Sequence, residues 1–389
     1  MALPRPEIIT IGAPSGPRHQ SFTLACVEEL GYRPRSISWA AFLDDPAVLD
    51  EEMRPNSYLR FDTPDQDVAD ISALYRAGED AAVAAGIETV PAGSEARLAQ
   101  GAIGSPAQLA FGLIAAITAA TAIARYHDAL TSTTPEDVAL AFDKTATLER
   151  LGKAGIATPR CLPPVAGFDS LVTAMEVAGL TRVFVKLRHG SAAAGMIALA
   201  RHGDSWIAVT GAMLDESGGL HATRRVARLT DRKAIARLVD CLAPLGLHVE
   251  SWLPKIGIGN RVADVRLVMI EGGGLYPVLR TSNHPMTNLH LGGERASIDL
   301  LIHRIGRDAW QSVIASTRSA SRCFPGSHVL GLDVAVLADA RSHALLEANA
   351  FGDFVKELTV DGLCPHRAQV RRIAERLKEG RTTSAQVAA

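Results

Sequence analysis

Short apolar runs cut by glycine, and longer stretches with apolar side chains at helical spacing, alternate along this chain. EIITIG, residues 7–12, is followed by a Gly-Pro loop and by SFTLACVEEL, which closes at Gly31. Strand, tight loop and helix in that order predict the opening unit of an open α/β domain. DISALYRAGEDAAVAAGI, residues 70–87, has the recurrence of one partly buried helix. LAFGLIAAITAATAIA, Leu109 to Ala124, is sixteen residues long with two threonines and polar flanks, which predicts a buried helix and not a membrane span. TTPEDVALAFDK starts a new unit, because Thr134 is a good N-cap, Pro135 suits the first helical position and Asp137 suits the first turn. In DKTATLERLGKAGIATP, Leu148 and Leu151 recur at helical spacing and Gly155 ends the helix.

Beyond residue 180 the period changes from helical to two. RVFVKLR, a turn HGSAAAG and MIALA predict a first hairpin; DVRLVMI, EGGG and LYPVLR a second; GLDVAVLA, a turn and HALLEAN a third, with a helix between the last two. HRAQVRRIAERLKEG reads as a basic surface helix before a mobile tail. The expected division is an N-terminal α/β domain over 1–135, a lid over 136–250, a C-terminal unit over 251–375 and a tail over 376–389.

Composition narrows the chemistry. The chain has 389 residues, with 40 basic against 42 acidic ones, so no basic face invites nucleic acid and a small ligand or a local patch is expected. Five separated cysteines without a CxxC pair argue against a disulfide framework or a zinc ribbon. With no signal-peptide pattern near the start, the expectation is a cytoplasmic protein. The first loop has Gly12 and Gly16 without GxGxxG spacing, so an oxidoreductase reading is the weakest available.

Folding the third hairpin about Ala340 places Asp333 opposite Glu347, with Asn349 on the same face. Two carboxylates and an amide oxygen suit magnesium or manganese, although acidic residues on a strand face can also be simply solvated. Asp264 and Arg266 alternate onto one face of the second hairpin, and Arg280 ends its return strand. Two close arginines need an anion such as phosphate between them; alternatively Asp264 pairs with one and the other is solvated. TSNHPMTNLHLGGE then offers Asn288, other amides and a Gly-Gly turn. On the first hairpin Lys186 projects from a strand, and small residues from Ser191 to Gly195 let backbone amides approach phosphates. A lysine before the turn is not a Walker loop, which requires strand, GxxxxGK[ST] and helix.

These segments in this order resemble the ATP-grasp superfamily over roughly residues 140 to 360. The resemblance extends to ligases that add glutamate to a ribosomal protein and to ATP-grasp proteins of bacterial biosynthetic clusters. It implies an α/β (α+β) fold with an open N-terminal α/β domain, a small β-hairpin lid and a C-terminal antiparallel sheet. Lys144 and Lys186 are then the phosphate lysines. The hinge HVESWLP gives Glu250, Ser251 and Leu253 as adenine contacts, mainly through their backbone. Asp264, Arg266, Arg280 and Asn288 meet phosphates and substrate, and Asp333, Glu347 and Asn349 hold two magnesium ions.

The implied activity is an ADP-forming carboxylate–amine ligase working through an acyl phosphate on an amino acid or peptide, with an amine co-substrate. A phosphotransferase that releases its phosphorylated product, or a non-catalytic nucleotide-binding regulator, remains an alternative. A homodimer is compatible with the resemblance, and neither nucleic acid nor membrane is expected. The pattern departs from the family at Ala350-Phe351-Gly352-Asp353, where a Pro-Gly turn is usual, and at Leu279 and Met286, where the glutamate-adding ligases carry arginines. The long gap between Lys186 and Glu250 is expected to elaborate the lid.

Overall fold

The computed structural model describes residues 7–64, 67–91, 98, 101–352 and 358–387. The N-terminal unit begins with β1 (Ile8–Ile11) and α1 (Pro17–Leu30), whose C-cap Gly31 adopts φ 76°. It continues with β2 (Arg35–Ile37), α2 (Trp39–Asp44), α3 (Ala47–Asp50), β3 (Tyr58–Phe61), α4 (Val68–Ala77), α5 (Glu79–Ala84), α6 (Pro106–Tyr126) and β4 (Leu130–Thr131). The four strands form a parallel sheet in the order β2-β1-β3-β4. Helix α6 is long and apolar enough to cross a membrane by length and composition, yet it packs against α4, α5 and α7 (Pro135–Phe142), with Leu113, Ile117 and Ala120 in the core.

The helix expected over 70–87 is two helices that part at Gly78. A Cβ on Gly78 would lie 1.9 Å from the Gln108 carbonyl oxygen, and one on Gly112 would lie 1.9 Å from that of Leu74. Paired glycines let two backbones touch at this crossing, a tertiary constraint that periodicity does not carry.

Thr134 caps α7 as expected, its hydroxyl accepting from the Asp137 amide at 3.3 Å. The chain breaks at Asp143, whose carboxylate caps α8 (Lys144–Lys153) through the Ala146 amide. Beyond α9 (Phe168–Ala178), a five-stranded antiparallel sheet has the order β8-β7-β6-β5-β9, built from β5 (Arg182–Leu187), β6 (Ile197–His202), β7 (Ser205–Leu214), β8 (Leu220–Leu229) and β9 (Leu247–Ser251). The gap before Glu250 therefore holds a second hairpin and α10 (Arg232–Leu242), whose Ile235, Leu238 and Val239 share a core with Val183, Val185 and Leu199.

The last sheet joins β10 (Gly257–Ile258), β11 (Arg261–Ile270), β12 (Gly274–Ser282), β13 (Glu294–Ala296), β14 (Val329–Val336) and β15 (His343–Asn349). Between β13 and β14 lie α11 (Ile298–Ile305) and α12 (Arg307–Ser321). Strand β11 sits centrally, between β12 and β14, and the register pairs Asp264 with Arg280, Arg266 with Asp333, and Asp333 with Glu347. One large core runs from Ile9, Trp39 and Leu113 to Val265, Leu332 and Leu345, so the N-terminal unit and this sheet share an interior. The expected tail is helical to Val387 within α13 (Pro365–Val387), and that helix is not only a surface element: Val370, Ile373 and Leu377 are buried against Ile8, Phe22 and Tyr58.

Candidate active site

Three elements meet at the site: the α8 start, the lid sheet and the face of β11, β12, β14 and β15. A cavity of about 920 Å³ lies between them and the N-terminal unit, lined on its polar side by Lys144, Lys186, Arg266, Asn288, Glu347 and Asn349. Its lining also includes Arg18, Asp67, Leu113, Phe142 and Phe351. A narrow chamber of about 60 Å³ adjoins it, sharing Lys186, Met196, Asn288 and Glu347, and reaches Ser251, Leu253, Lys255, Asp264 and Arg280.

Lys186 and Lys144 come from different units and line the same cavity. Alternation along β5 buries Val183, Val185 and Leu187 in the lid core and sends Lys186 to the other face. Its Nζ lies 2.5 Å from Glu250 Oε1. Burial works against the Lys186 charge, but Glu250 and Glu347 outweigh it and raise the pKa. Glu250 is fully buried and would be pushed up by that alone; Lys186 and His248 bring it down to about 2. Lys144 donates to the Gly190 carbonyl. Burial and the neighbouring Lys186 lower its pKa, partly offset by Glu347. Two ammonium groups on one cavity wall make a site for an anion.

On the sheet face a ladder of alternating charge runs through buried side chains. Lys255 Nζ donates to Asp264 Oδ2 at 2.9 Å and to Thr287 Oγ1 at 3.1 Å. Arg280 donates through Nε to Asp264 Oδ1 at 2.8 Å and through Nη2 to Asp333 Oδ2 at 2.9 Å. Arg266 grips Asp333 in bidentate fashion at 2.6 and 2.9 Å and reaches Glu347 Oε1 at 3.5 Å. The anion between the two arginines is thus Asp333. Asp264 takes one arginine, as one reading of the sequence has it, but the other is buried on Asp333 and not solvated. Burial opposes the Asp333 charge, and the two guanidiniums overcome it, holding the carboxyl well below its usual range.

That arrangement modifies the expected metal set. Asp333 already accepts three hydrogen bonds out of about four lone-pair directions. Asn349 donates its amide to the Gly331 carbonyl at 3.4 Å, and its oxygen has no hydrogen-bond partner among the described residues. Glu347 is pushed upward by burial and by the facing Asp333 carboxylate. A divalent cation fits this donor set, because hard oxygens are open on Glu347 and Asn349 and a cation there removes the repulsion that raises Glu347. Among the described residues no group of three or more His, Cys, Asp or Glu side chains forms a metal cluster.

Several other expectations need correction. Gly195 does not line the cavity: its φ is 69°, and a Cβ there would meet Leu187 and Leu242 within 3.1 Å, so the glycine serves the turn and its packing. Ser191 does line it, along with Gly190 and Ala192 to Ala194. At the hinge, Glu250 pairs with Phe184 on one edge and bridges Cys161 on the other, and the Ser251 amide donates to the Arg160 carbonyl at 2.8 Å. The Glu250 backbone and the Ser251 amide are committed within the sheet, and Ser251 and Leu253 both line the narrow chamber. Asn288 Oδ1 accepts from the His290 amide, and the residue lines both chambers. Of the altered turn, Ala350 to Gly352 line the cavity, while Asp353 lies outside the described residues, as do Asp65 and Gln66.

The sequence reading passed over Lys255, Thr287, His248 and the Arg188–Asp143 pair, in which Arg188 donates at 2.8 and 2.6 Å to the carboxylate capping α8. Lys255 is the one charge in the run WLPKIGIG, and that isolation was the available signal. The others depend on pairings between distant segments.

No protein-family model matches this sequence, and no curated protein matches it. Solved structures do match. One of the ATP-grasp ligase PsnB with a minimal precursor aligns over 95% of this chain and 99% of that one, at 14% identity and TM-score 0.52. The macrocyclase MdnC with its precursor peptide MdnA, from Microcystis aeruginosa MRC, aligns over 95% and 99%, at 10% identity and TM-score 0.53. D-alanine–D-alanine ligase from Bacillus anthracis aligns over 97% and 99%, at 10% identity and TM-score 0.51. This chain has the ATP-grasp fold.

Proposed function

We propose that the protein is an ATP-dependent, ADP-forming carboxylate–amine ligase that makes an amide or peptide bond through an acyl phosphate. The observation that carries this reading is the convergence of Lys144, Lys186, Arg266, Glu347 and Asn349 on one cavity of about 920 Å³, with room for a phosphate chain and a second substrate. A carboxylate is a poor electrophile, and accepting the terminal phosphoryl group turns one of its oxygens into a leaving group. The amine then attacks the carbonyl carbon and phosphate departs. The protein's work in such a transfer is positioning and charge neutralisation, with no nucleophilic side chain.

In this reading Lys144 and Lys186 hold the phosphates, and Leu253 and the narrow chamber receive the base. Arg266 faces the transferred group, while Arg280, lining only the narrow chamber, acts from behind it by fixing Asp333. Glu347 and Asn349, with Asp333 beside them, would hold magnesium; the resemblance implies two ions. Magnesium supplies neutralisation of phosphate charge. PsnB and MdnC were solved with precursor peptides, which supports a peptide or amino acid as the carboxylate substrate here. Leu113, Phe142 and Phe351 in the cavity lining suit a substrate with an apolar body. Five unpaired cysteines fit a reducing, cytoplasmic setting.

The test is ADP release by the full-length protein with ATP and magnesium against pooled amino acids, dipeptides and cell extract, followed by product mass. A condensation mass is expected, and Glu347→Gln should remove substrate-dependent ADP release, by about 100-fold or more, in a folded protein. A product heavier by one phosphate, or full activity in the Gln variant, would overturn the reading.

A further inference from the structure

His248 has no role in the chemistry just described, yet it is 2% exposed and tied at both ring nitrogens. It lies on β9 two residues before Glu250, so both side chains project to the face opposite the lid core. Its Nε2 is 3.0 Å from Glu250 Oε2, and its Nδ1 is 2.9 Å from Thr145 Oγ1. The other oxygen of Glu250, Oε1, is the one 2.5 Å from Lys186 Nζ. Thr145 follows Lys144 in the first turn of α8. One buried chain of polar contacts thus runs from the residue beside the first lysine to the ammonium of the second.

The chemistry fixes its polarity. An ionised carboxylate only accepts, so Nε2 carries the hydrogen and Nδ1 accepts from the Thr145 hydroxyl. Burial lowers the His248 pKa and keeps the ring neutral in this tautomer. Without the ring, Glu250 Oε2 would be buried with no other partner among the described residues, and the carboxylate would be free to turn about its terminal bond. A buried ion pair adds little net stability, and its value here is geometric. Lys186 has three N–H donors; Glu250 takes one from a fixed direction and leaves two for the cavity.

We propose that Thr145 and His248 are positioning residues, which fix the Glu250 carboxylate and through it the direction in which Lys186 presents its ammonium to a nucleotide phosphate. The inference rests on the reading of the cavity as an ATP site. Because Thr145 adjoins Lys144, the same relay sets the two lysines relative to each other, across the junction between α8 and the lid sheet.

The experiment is calorimetric titration of full-length wild-type, His248→Leu, His248→Gln and Thr145→Val proteins with ATP and ADP, each with magnesium, and with adenosine. Leucine removes both contacts; glutamine places an amide N–H near the Nε2 position and restores the donor to Glu250; valine removes only the hydroxyl at constant shape. His248→Leu should weaken ATP and ADP about tenfold while leaving adenosine within about twofold, and the glutamine variant should recover most of the loss. Thr145→Val should weaken ATP about threefold. Wild-type ATP affinity in His248→Leu overturns the relay, and so does equal weakening of ATP and adenosine, the result of a merely structural loss. If the leucine variant does not fold, unchanged ATP affinity in Thr145→Val overturns it. A wild-type protein that binds adenosine or ATP in neither case overturns the ATP reading itself, which separates the two failures.

Discussion

Asp333 is the residue whose removal would be hardest to interpret, and Glu347 the easiest, although they face each other on paired strands. Asp333 is 4% exposed and neutralises two buried guanidiniums; Glu347 ends the ladder with its side chain 22% exposed and a 3.5 Å contact to Arg266. Removing one partner of a buried ion pair strands the other charge, at about 3–5 kcal/mol. Asp333→Asn should therefore lose stability of that order in urea denaturation, and a variant as stable as wild type would show that Arg266 and Arg280 do not depend on it. Glu347→Gln should unfold at the wild-type urea concentration. Activity lost in the first variant says little about metal, whereas activity lost in the second bears directly on the site. That Asp333 and Glu347 meet across one hairpin was legible in the sequence from the two period-two runs about the turn, whereas their direct pairing depends on a bulge between Asp333 and Val334 that shifts the register by one. That Asp333 belongs to the arginines was not legible, because Arg266 and Asp333 are 67 residues apart and the pairing of their strands is tertiary.

At the scale of elements, the opening hairpin carries the most testable behaviour. Its turn is tied to α8 from two sides: Arg188 clamps the Asp143 carboxylate, and the Gly190 carbonyl accepts from Lys144. Ala192 and Ala193 adopt φ 51° and 59°, conformations that L residues hold at some cost, so the turn has a reason to rearrange when a ligand arrives. Amide exchange over residues 189–195 should slow on adding ADP and magnesium; exchange unchanged by nucleotide would rule out a moving cover. At its base His189 packs edge-on to Phe111 at 5.3 Å, and burial pushes its pKa down to about 4. An unfolded histidine, near pH 6.5, takes up a proton first, so this ring stabilises the fold above about pH 6.5 and the contribution is lost as pH falls toward 4. His189→Gln should flatten that part of the stability–pH curve by on the order of 1–3 kcal/mol, and a curve parallel to wild type between pH 7 and 4 would exclude it. The hairpins themselves were legible from period-two runs between glycine turns. β7 and β8 were not, because an edge strand carrying Arg224, Arg225 and Arg228 reads as a solvated polar stretch.

Across the whole molecule the cavity needs a wall that the lid and the last sheet do not supply, and α13 helps hold that wall in place. The helix starts beyond β15 and returns to α1, burying Val370, Ile373 and Leu377 against Ile8, Phe22 and Tyr58. Around this contact Arg367 and Arg371 meet Glu29 at 2.5 and 2.6 Å, and Gln369 accepts from the buried Arg60 at 3.4 Å. Arg376 reaches Glu271, between β11 and β12, so one helix touches both the N-terminal unit and the last sheet. Sequence reading gave this helix its basic face and missed its apolar one, since the three buried positions are spaced among four arginines and gain meaning only from the partner surface. The two kinds of contact differ in worth. Arg367 and Arg371 are 37% and 52% exposed in their side chains, and such surface pairs contribute about 0–1 kcal/mol. Truncating a buried isoleucine costs about 2–5 kcal/mol through lost transfer energy and the cavity left behind. Ile373→Ala should therefore destabilise the protein several times more than Glu29→Gln in urea denaturation. Equal effects would mean that the ion pairs, and not the apolar face, fasten the N-terminal unit over the cavity.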